Sequence, residues 1–512
     1  MLDLPIFKIS HNIKSKVEGE ILAKLEIEGL LNEVPKPIEN FYDIMKYLKD
    51  FEDFRISNRI FWENAYGKVK GYNLFLDINE KLIEKLIKRL AYFSEIYLLT
   101  RRELNLTISP KLYEKFQKED KILYRFITYS YFLEKSEYIS KLSRNEKEID
   151  RNIEILFKHP FENIYYIPAP QNLKMGKKLE DYFSNREENS LYLTHYFYPY
   201  KGKFHPKMVR SLLNWANPRV ILDNFVGSGT LLVEASLMEI ESYGVDINPL
   251  CVLMSKVKTS ALFYQYQKID IPIFINFQTM KNFIESIKDE QTRDFYKLVL
   301  SGTISDISRN RKKDFKSAFL ERLRDLELRI YLFKKINETL GIKPMPAFVE
   351  RMDTRKLNLN KKFDSIITSP PYAIALDYIK NDKDILKLVF DLDFKLLEED
   401  MIGNPRENKT QFEIPSYLEN KLEKFKNRPQ IFKFYSDIYL TIKKMKEHLK
   451  EGSKNAIIIG NNKLKEGLLR NDSLISDILQ MEGFKIIDVI ERDITKNVEG
   501  AIKDESIILF YL

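Results

Sequence analysis

The chain has 512 residues, 44% of them hydrophobic and 31% charged, which is the mixture of a packed globular protein and excludes a disordered or fibrous one. Its formal charge of +8, from 83 basic and 75 acidic side chains, permits a nucleic-acid partner without requiring one. One cysteine, Cys251, excludes an intrachain disulfide and a cysteine-based zinc site and fits a reducing cytoplasm, the expected location.

Residues 1–185 read mostly as helices. Apolar residues recur at helical spacing in EKLIEKLIKRLAYFSEIYLL, and the segment shows neither an internal repeat nor strand–turn–helix alternation. The apolar stretch Ile122–Leu133 is short and contains Arg125, so it reads as a buried helix; no membrane span is expected. Prolines in Ile167–Asn172 mark a boundary region. This part is expected to recognise a target, dock a partner or cap the sheet.

Strand rhythm begins after residue 185. RVILD (Arg219–Asp223) is a short apolar strand ending in an acid; a Gly-rich turn and a helix from Thr230 follow, then a second strand, YGVD, ending in Asp246. That order is the βαβ unit of a parallel sheet. Residues 262–345 interrupt it: Phe315, Phe319, Leu323, Leu326 and Ile330 share one helical face, so a helical insertion is expected. The strands AFVERMD, FDSIIT and AIIIG resume the pattern in 346–512, and FKIIDVIE with SIILFYL closes it as an antiparallel hairpin. The catalytic domain is therefore expected in two parts, 186–261 and 346–512.

Three features carry chemistry. In Asp223-Asn224-Phe225-Val226-Gly227-Ser228-Gly229-Thr230 the glycines let the backbone turn sharply and approach a ligand. A P-loop would end in Gly-Lys-Ser/Thr and a dinucleotide fingerprint would want Gly or Ala where Leu232 stands, so neither cofactor class fits. Asp246 follows at the spacing of a carboxylate that accepts from ribose hydroxyls; its alternative is a helix cap in DINPL. Finally, Thr368-Ser369-Pro370-Pro371-Tyr372 ends an apolar strand in a rigid loop. Such a loop suits an exocyclic base amine, a poor nucleophile. Ser369 Oγ and the Pro370 carbonyl can accept its two N–H bonds and aim the lone pair, while Tyr372 offers an aromatic face.

Together these residues resemble the amino-methyltransferases that act on adenine N6 or cytosine N4 of DNA. DNFVGSGT resembles their Asp-Pro-Phe-x-Gly-Ser-Gly-Thr motif, with Asn224 where Pro is usual; GVDINPL and RMDTRKL resemble the second and third acidic motifs; TSPPY resembles the catalytic motif in its Ser-first, cytosine-N4 form. His195–Pro206 resembles the segment that lies over the cofactor, and ALDYIKNDK, MIGNPR and IIIGNNK look like a subgroup of these enzymes. The resemblance implies a Rossmann-like seven-stranded α/β sheet, S-adenosylmethionine as methyl donor, and duplex DNA with its target base flipped out as substrate. A cognate restriction or defence protein is a further implied partner. It implies a cofactor site of Tyr196, Lys203, Phe204, Asp223, Phe225, Gly227, Ser228, Gly229, Thr230, Asp246, Ile247 and Asp353, with Ser369, Pro370, Pro371 and Tyr372 catalytic and no metal. Direct transfer without a covalent intermediate is expected, since Cys251 lies away from the catalytic loop and reads as a buried apolar residue. Adenine-N6 methylation, RNA methylation and a catalytically silent DNA-binding subunit are the alternatives. A nuclease fused in 1–185 would need an acid–acid–Lys cluster that is not evident there, and the run Arg309–Lys313 reads equally as phosphate contact or solvated helix start.

Overall fold

A computed structural model describes residues 3–9, 16–40, 42–51, 68–158, 191–200, 202–309, 311, 314–373, 382–404, 414–493 and 504–512. The chain divides into two compact units. The first holds Met1–Tyr196, Phe204–Asn217 and Leu326–Pro344; the second holds Phe197–Lys203, Pro218–Asp325 and Met345–Leu512.

The first unit corrects the mostly helical expectation for 1–185. It contains a six-stranded antiparallel sheet: β1 (Leu4–Ile9), β2 (Lys36–Ile38), β3 (Gly71–Asn73), β4 (Phe93–Thr100), β5 (Tyr113–Lys118) and β6 (Lys121–Ile127), in the order β2-β3-β1-β4-β6-β5. The segment expected as one long helix is helix Glu80–Arg89 followed by β4. Likewise Ile122–Leu133 is split between β6 and the start of helix Tyr129–Leu142. The physical reason is visible in β4. Lying inside the sheet, it buries residues of both faces, so its apolar residues run on without the alternation that marks a half-exposed strand.

Its longer helices are α1 (Lys16–Leu31), α2 (Glu80–Arg89), α3 (Tyr129–Leu142), α4 (Glu146–Lys158) and α5 (Pro206–Ala216). α1 and α5 cross at Gly29, where an added Cβ would lie 2.4 Å from Trp215 Cα and 2.5 Å from the Asn214 carbonyl oxygen. One turn earlier, the buried Glu26 carboxylate accepts from the Ala91 and Tyr92 amides, each at 2.9 Å, and from Asn214 Nδ2. It thereby fastens the connection between α2 and β4 to α1 and α5. The tail of the expected insertion also belongs to this unit, not to a separate segment. Arg329 pairs with buried Glu137 of α3 at 2.9 Å, and Tyr129 hydrogen-bonds the Leu340 carbonyl.

The second unit is an α/β domain. Its strands are β7 (Val220–Asp223), β8 (Glu241–Asp246), β9 (Ala347–Arg351), β10 (Ser365–Thr368), β11 (Lys454–Gly460), β14 (Lys485–Asp493) and β15 (Asp504–Tyr511), in the order β14-β15-β11-β10-β7-β8-β9; β12 (Asn462–Leu464) and β13 (Gly467–Leu469) form a separate hairpin. β9, β8, β7, β10 and β11 run parallel, and β15 is antiparallel to both β11 and β14. This is the mostly parallel seven-stranded sheet with a C-terminal antiparallel hairpin that the sequence implies. Helices α6 (Thr230–Leu237) and α7 (Pro249–Ser260) complete the βαβ units. α8 (Phe277–Ser286), α9 (Glu290–Ser308) and α10 (Phe315–Leu340) occupy the interruption. After β10 come α11 (Lys383–Phe390), α12 (Phe394–Glu399), α13 (Ser416–Leu422), α14 (Pro429–His448) and α15 (Asn471–Met481). α14 and α15 cover one face of the sheet: Ile431, Phe434, Ile438, Ile442, Ile475 and Ile478 pack on Leu222, Ile366, Ile457, Ile459 and Ile508.

Gly29→Ala tests the crossing of α1 and α5. Alanine inside a helix would gain about 1 kcal/mol of propensity, whereas forcing a methyl into backbone that cannot yield costs about 1–3 kcal/mol or more. A net fall in the midpoint of thermal unfolding of the whole chain is expected; an unchanged or raised midpoint would show that the helices separate freely.

Candidate active site

β7 delivers Asp223 to the glycine turn, and α6 leaves it at Thr230 with Gly229 as its N-cap. Gly227 (φ +48°) and Gly229 (φ +75°) both lie in the left-handed region, for different reasons. At Gly229 a Cβ would fall 2.7 Å from Ser255 Oγ and 2.9 Å from Ser255 Cα, so α7 packs directly on the turn. At Gly227 the nearest atoms, the Phe225 carbonyl oxygen and Tyr200 Cε1, stand 3.7 and 3.8 Å away. Conformation alone calls for glycine there, since an added Cβ would make only ordinary van der Waals contact. Behind the turn, buried Lys258 donates to the Ser228 carbonyl at 2.8 Å; burial, then the neighbouring Lys203 charge, holds its ammonium far below the usual lysine range. Ser228 Oγ lies 3.2 Å from Thr230 Oγ1.

Side chains from three neighbouring strand ends converge on this turn. Asp246, at the tip of β8, accepts from the Gly227 amide at 2.9 Å and the Asn248 amide at 2.9 Å. Burial pushes its carboxyl upward against those bonds. The cap of α7 is Asn248, whose side chain accepts from the Leu250 amide, so Asp246 itself is not the N-cap. Asp223 is buried and accepts from Thr368 Oγ1 at 2.6 Å and from the Phe225 amide at 3.2 Å. Burial raises its carboxyl to about 7, with the Asp246 charge adding to the rise. Asn224 donates to Thr354 Oγ1 at 2.7 Å and so ties the turn to the segment after β9. In that segment Asp353 is gripped by Arg355, with Nη2 to Oδ2 at 2.8 Å and Nε to Oδ1 at 2.9 Å. Burial would raise the Asp353 carboxyl, but the guanidinium outweighs it and holds it below its ordinary range. Arg355 also binds Asp437 of α14 at 3.0 Å and the Asp400 carbonyl at 2.7 Å.

Thr368 is the last residue of β10, and β10 pairs in parallel with β7 through Ser365–Ile221 and Ile366–Leu222. The Ser369-Pro370-Pro371-Tyr372 loop therefore leaves the sheet beside the glycine turn, at the same carboxyl edge. Ser369 is half-buried, and its Oγ hydrogen-bonds none of the described residues. Pro370 is buried and Pro371 half-buried. Tyr372 hydrogen-bonds through its hydroxyl to Glu505 of β15.

The remaining expected residues fall as follows. Phe225 is half-buried in the turn, and Ile247 packs beside Leu386 and Leu397. Lys203 donates to the Tyr198 carbonyl at 2.5 Å within the second unit. Tyr196 and Phe204 belong to the first unit, where the Tyr196 ring lies under Arg329 at 4.8 Å; burial pushes its hydroxyl up to about 12. Cys251 is buried and lies 3.6 Å from the Tyr200 hydroxyl; burial drives its thiol well above the usual range, away from a thiolate. Of the basic run, Arg309 donates to the Pro199 carbonyl and Arg311 stands 3.8 Å from Asp306, while Asn310, Lys312 and Lys313 lie outside the described residues. Also outside them lie Ile167–Asn172, most of ALDYIKNDK and the last two residues of MIGNPR. A polar groove along the β9-to-β10 connection, lined by Lys356, Lys362, Lys444 and His448 among others, contains none of the expected site residues. Sequence reasoning did not single out Tyr200, Thr354, Arg355, Lys258 or Glu505. Tyr200 and Arg355 sat inside quoted motifs, but nothing local marked Lys258 or Glu505.

No family model matches the chain. It is 23% identical over 390 residues to the Type II methyltransferase M.MvaI of Kocuria varians, an alignment spanning 60% of this chain and 86% of that enzyme. Over 125 residues it is 34% identical to the Type II methyltransferase M.MjaII of Methanocaldococcus jannaschii, covering 23% of each. These two similarities support a DNA methyltransferase family for the chain. Solved structures that align with this methyltransferase include TrmN from Thermus thermophilus (TM-score 0.30, 9% identity, 100% of this chain and 99% of that one) and the rRNA methyltransferase AviRa from Streptomyces viridochromogenes (TM-score 0.27, 10% identity, 62% and 87%). At those scores its fold assignment rests on strand order alone. No described helix of the methyltransferase is long and apolar enough to cross a membrane.

Two outcomes follow for the joint between the loops. An ordinary aspartate releases its proton near 3.8 and folded Asp223 near 7, so its contribution to stability is fully present below 3.8 and is lost as pH rises toward 7. Asp223→Asn should flatten that part of the stability–pH curve; an unchanged slope between the two values would remove the assignment. Thr368→Val should cost about 1.5–3 kcal/mol by denaturant unfolding at neutral pH, and Thr368→Ser should restore most of it.

Proposed function

We propose that this protein methylates DNA, transferring the methyl group of S-adenosylmethionine to an exocyclic base amine, with cytosine N4 the favoured acceptor. The observation that carries the proposal is the 2.6 Å bond from Thr368 to Asp223, which joins the last residue before the Ser-Pro-Pro-Tyr loop to the first residue of the glycine turn. Donor and acceptor sites thus share one edge of one sheet, at the ends of adjacent parallel strands.

The residues present fit the methyl donor. The backbone of the turn at Gly227 carries no side chain toward a ligand, and Asp246, which accepts from the Gly227 and Asn248 amides, is the acid assigned to the ribose hydroxyls. Phe225, Ser228, Gly229, Thr230 and Ile247 complete the lining of that turn, and Asp353 faces the adenine end. Lys203 is assigned to close over it. Bound there, S-adenosylmethionine supplies an electrophilic methyl carbon on a sulfonium.

Ser369 Oγ and the Pro370 carbonyl accept the two N–H bonds of the target amine. This withdraws its lone pair from conjugation with the ring and points it at the methyl carbon. Pro370 has no N–H, so it can act only as an acceptor there. When bound, the donor would supply the methyl carbon to the nitrogen, its C–S electron pair staying on sulfur, and the proton lost from the amine held by Ser369 and Pro370 would pass to solvent water. Tyr372 presents its ring to a base taken out of the duplex stack. Serine rather than an acid at position 369 favours cytosine over adenine as the acceptor.

The test uses the whole chain, tritiated S-adenosylmethionine and duplex DNA, with hydrolysis to nucleosides and separation of N4-methylcytosine from N6-methyladenine. Label in N4-methylcytosine is expected. Label in N6-methyladenine would replace the acceptor, and label in RNA alone would overturn the DNA assignment. Ser369→Ala should lower turnover on the order of 10²-fold, as loss of one preorganised group at a reacting centre does. Binding of S-adenosylmethionine should be unaltered; equal loss of binding and turnover would remove Ser369 from the acceptor site.

A further inference from the structure

We infer that Glu505 is a positioning residue for Tyr372, setting the plane of its ring to receive the extruded base; this rests on the function proposed above. Tyr372 donates its hydroxyl to Glu505 Oε1, and Arg492 Nη1 donates to Glu505 Oε2 at 3.1 Å, so each carboxylate oxygen has one fixed partner. The two bonds together settle the rotamer of the glutamate and the direction from which it holds the phenol.

Glu505 sits on a rigid support. On β15 it is in register with Gly460 of β11 on one side and Arg492 of β14 on the other, so its backbone is paired across both neighbouring strands. Its neighbour Ser506 donates to Asp472 Oδ2 at 2.7 Å, and Asn461 donates to the same oxygen at 3.0 Å. Asn471 donates to the Gly460 carbonyl at 2.7 Å, which fixes the end of β11 facing Glu505. Side chains held by elements of the sheet are placed more accurately than those on loops.

Tyr372 has the opposite problem. It stands four residues beyond the end of β10, and its ring turns about two side-chain bonds. An aromatic platform gains from stacking only when its plane matches that of the base. Anchoring the hydroxyl at the far end of the ring removes that freedom before the base arrives. Glu505 touches neither the reacting amine nor the methyl donor in this scheme; it acts through Tyr372.

The experiment compares Tyr372→Phe, Glu505→Ala, Glu505→Gln and the double variant Tyr372→Phe/Glu505→Ala in the whole chain. Methylation of duplex DNA is measured alongside S-adenosylmethionine binding and the fluorescence of 2-aminopurine at the target base. Removing either end of a charge-assisted hydrogen bond should lower kcat/KM for DNA about tenfold or more and weaken the flipped-base signal. Binding of S-adenosylmethionine should not change. The double variant should be no worse than the poorer single one, since both remove one bond, and Glu505→Gln, which keeps an acceptor, should recover most of the loss. Multiplying losses in the double variant, or a loss shared equally by S-adenosylmethionine binding, would overturn the assignment and leave the bond a structural staple. Unchanged kinetics in Tyr372→Phe would do the same, and that variant together with Glu505→Gln decides the matter even if Glu505→Ala fails to fold. Wild-type protein that puts no label into DNA would instead sink the proposed function.

Discussion

The hydroxyl of Thr368 donating to the buried carboxylate of Asp223 is the contact on which the architecture of the site depends. Burying a carboxylate without a cation beside it is costly, and here the cost appears as a carboxyl raised to about 7. Leucine at the same place would pack without that penalty. What the aspartate provides is a joint between two loops that enter the sheet 145 residues apart. From β7 the chain steps outward through β8 and β9, then returns to β10 and continues outward on the other side to β11. That reversal of strand order is where ligands bind in open α/β sheets. A hydrogen bond between the ends of β7 and β10 fixes the separation of whatever binds on its two sides.

The second and third acids extend the same principle. Asp246 holds the Gly227 amide in its left-handed turn and is the residue proposed for the ribose, and Asp353 is held by Arg355, which is itself anchored by Asp437 in α14. Capping and ligand binding present themselves as rival explanations when such an acid is met in sequence. In three dimensions they are compatible, because a carboxylate oxygen that accepts one backbone bond keeps a second lone pair. An acid already committed to its own turn has lost its rotamer freedom during folding, so binding does not have to freeze it again.

The parts of the molecule legible in the sequence are those whose constraint is local. Glycines that must take positive φ, prolines that end a strand and acids at strand tips can be recognised one residue at a time, and the central parallel strands are short, apolar and bounded by such markers. The first unit had no such punctuation. β2 and β3 have three residues each, too few for any period, and β4 buries both faces, so it reads as a continuation of the helical pattern of α2. The side-chain bridges were invisible for another reason. Thr368 to Asp223 and Tyr372 to Glu505 span 145 and 133 residues, and one sequence holds no record of which distant polar residues meet. The departure from the family pattern at Asn224 is explained only in three dimensions: its side-chain amide reaches Thr354, a bond that proline could not make.

Two ionisable groups next to the glycine turn are pushed toward neutrality by the same burial. Burial lowers the Lys258 ammonium behind Ser228 and raises the Asp223 carboxyl. Lys258 Nζ donates to the Ser228 carbonyl and so braces the turn from behind. The sign matters for the proposed donor. A sulfonium is a cation, and an unscreened ammonium in a low-dielectric interior nearby would oppose it strongly. Asp246, upward-shifted but engaged by two amides, then supplies the acidic character at the lip of the turn. The turn is thus braced from behind by groups whose charged forms burial disfavours, while Asp246 holds its front through two backbone amides.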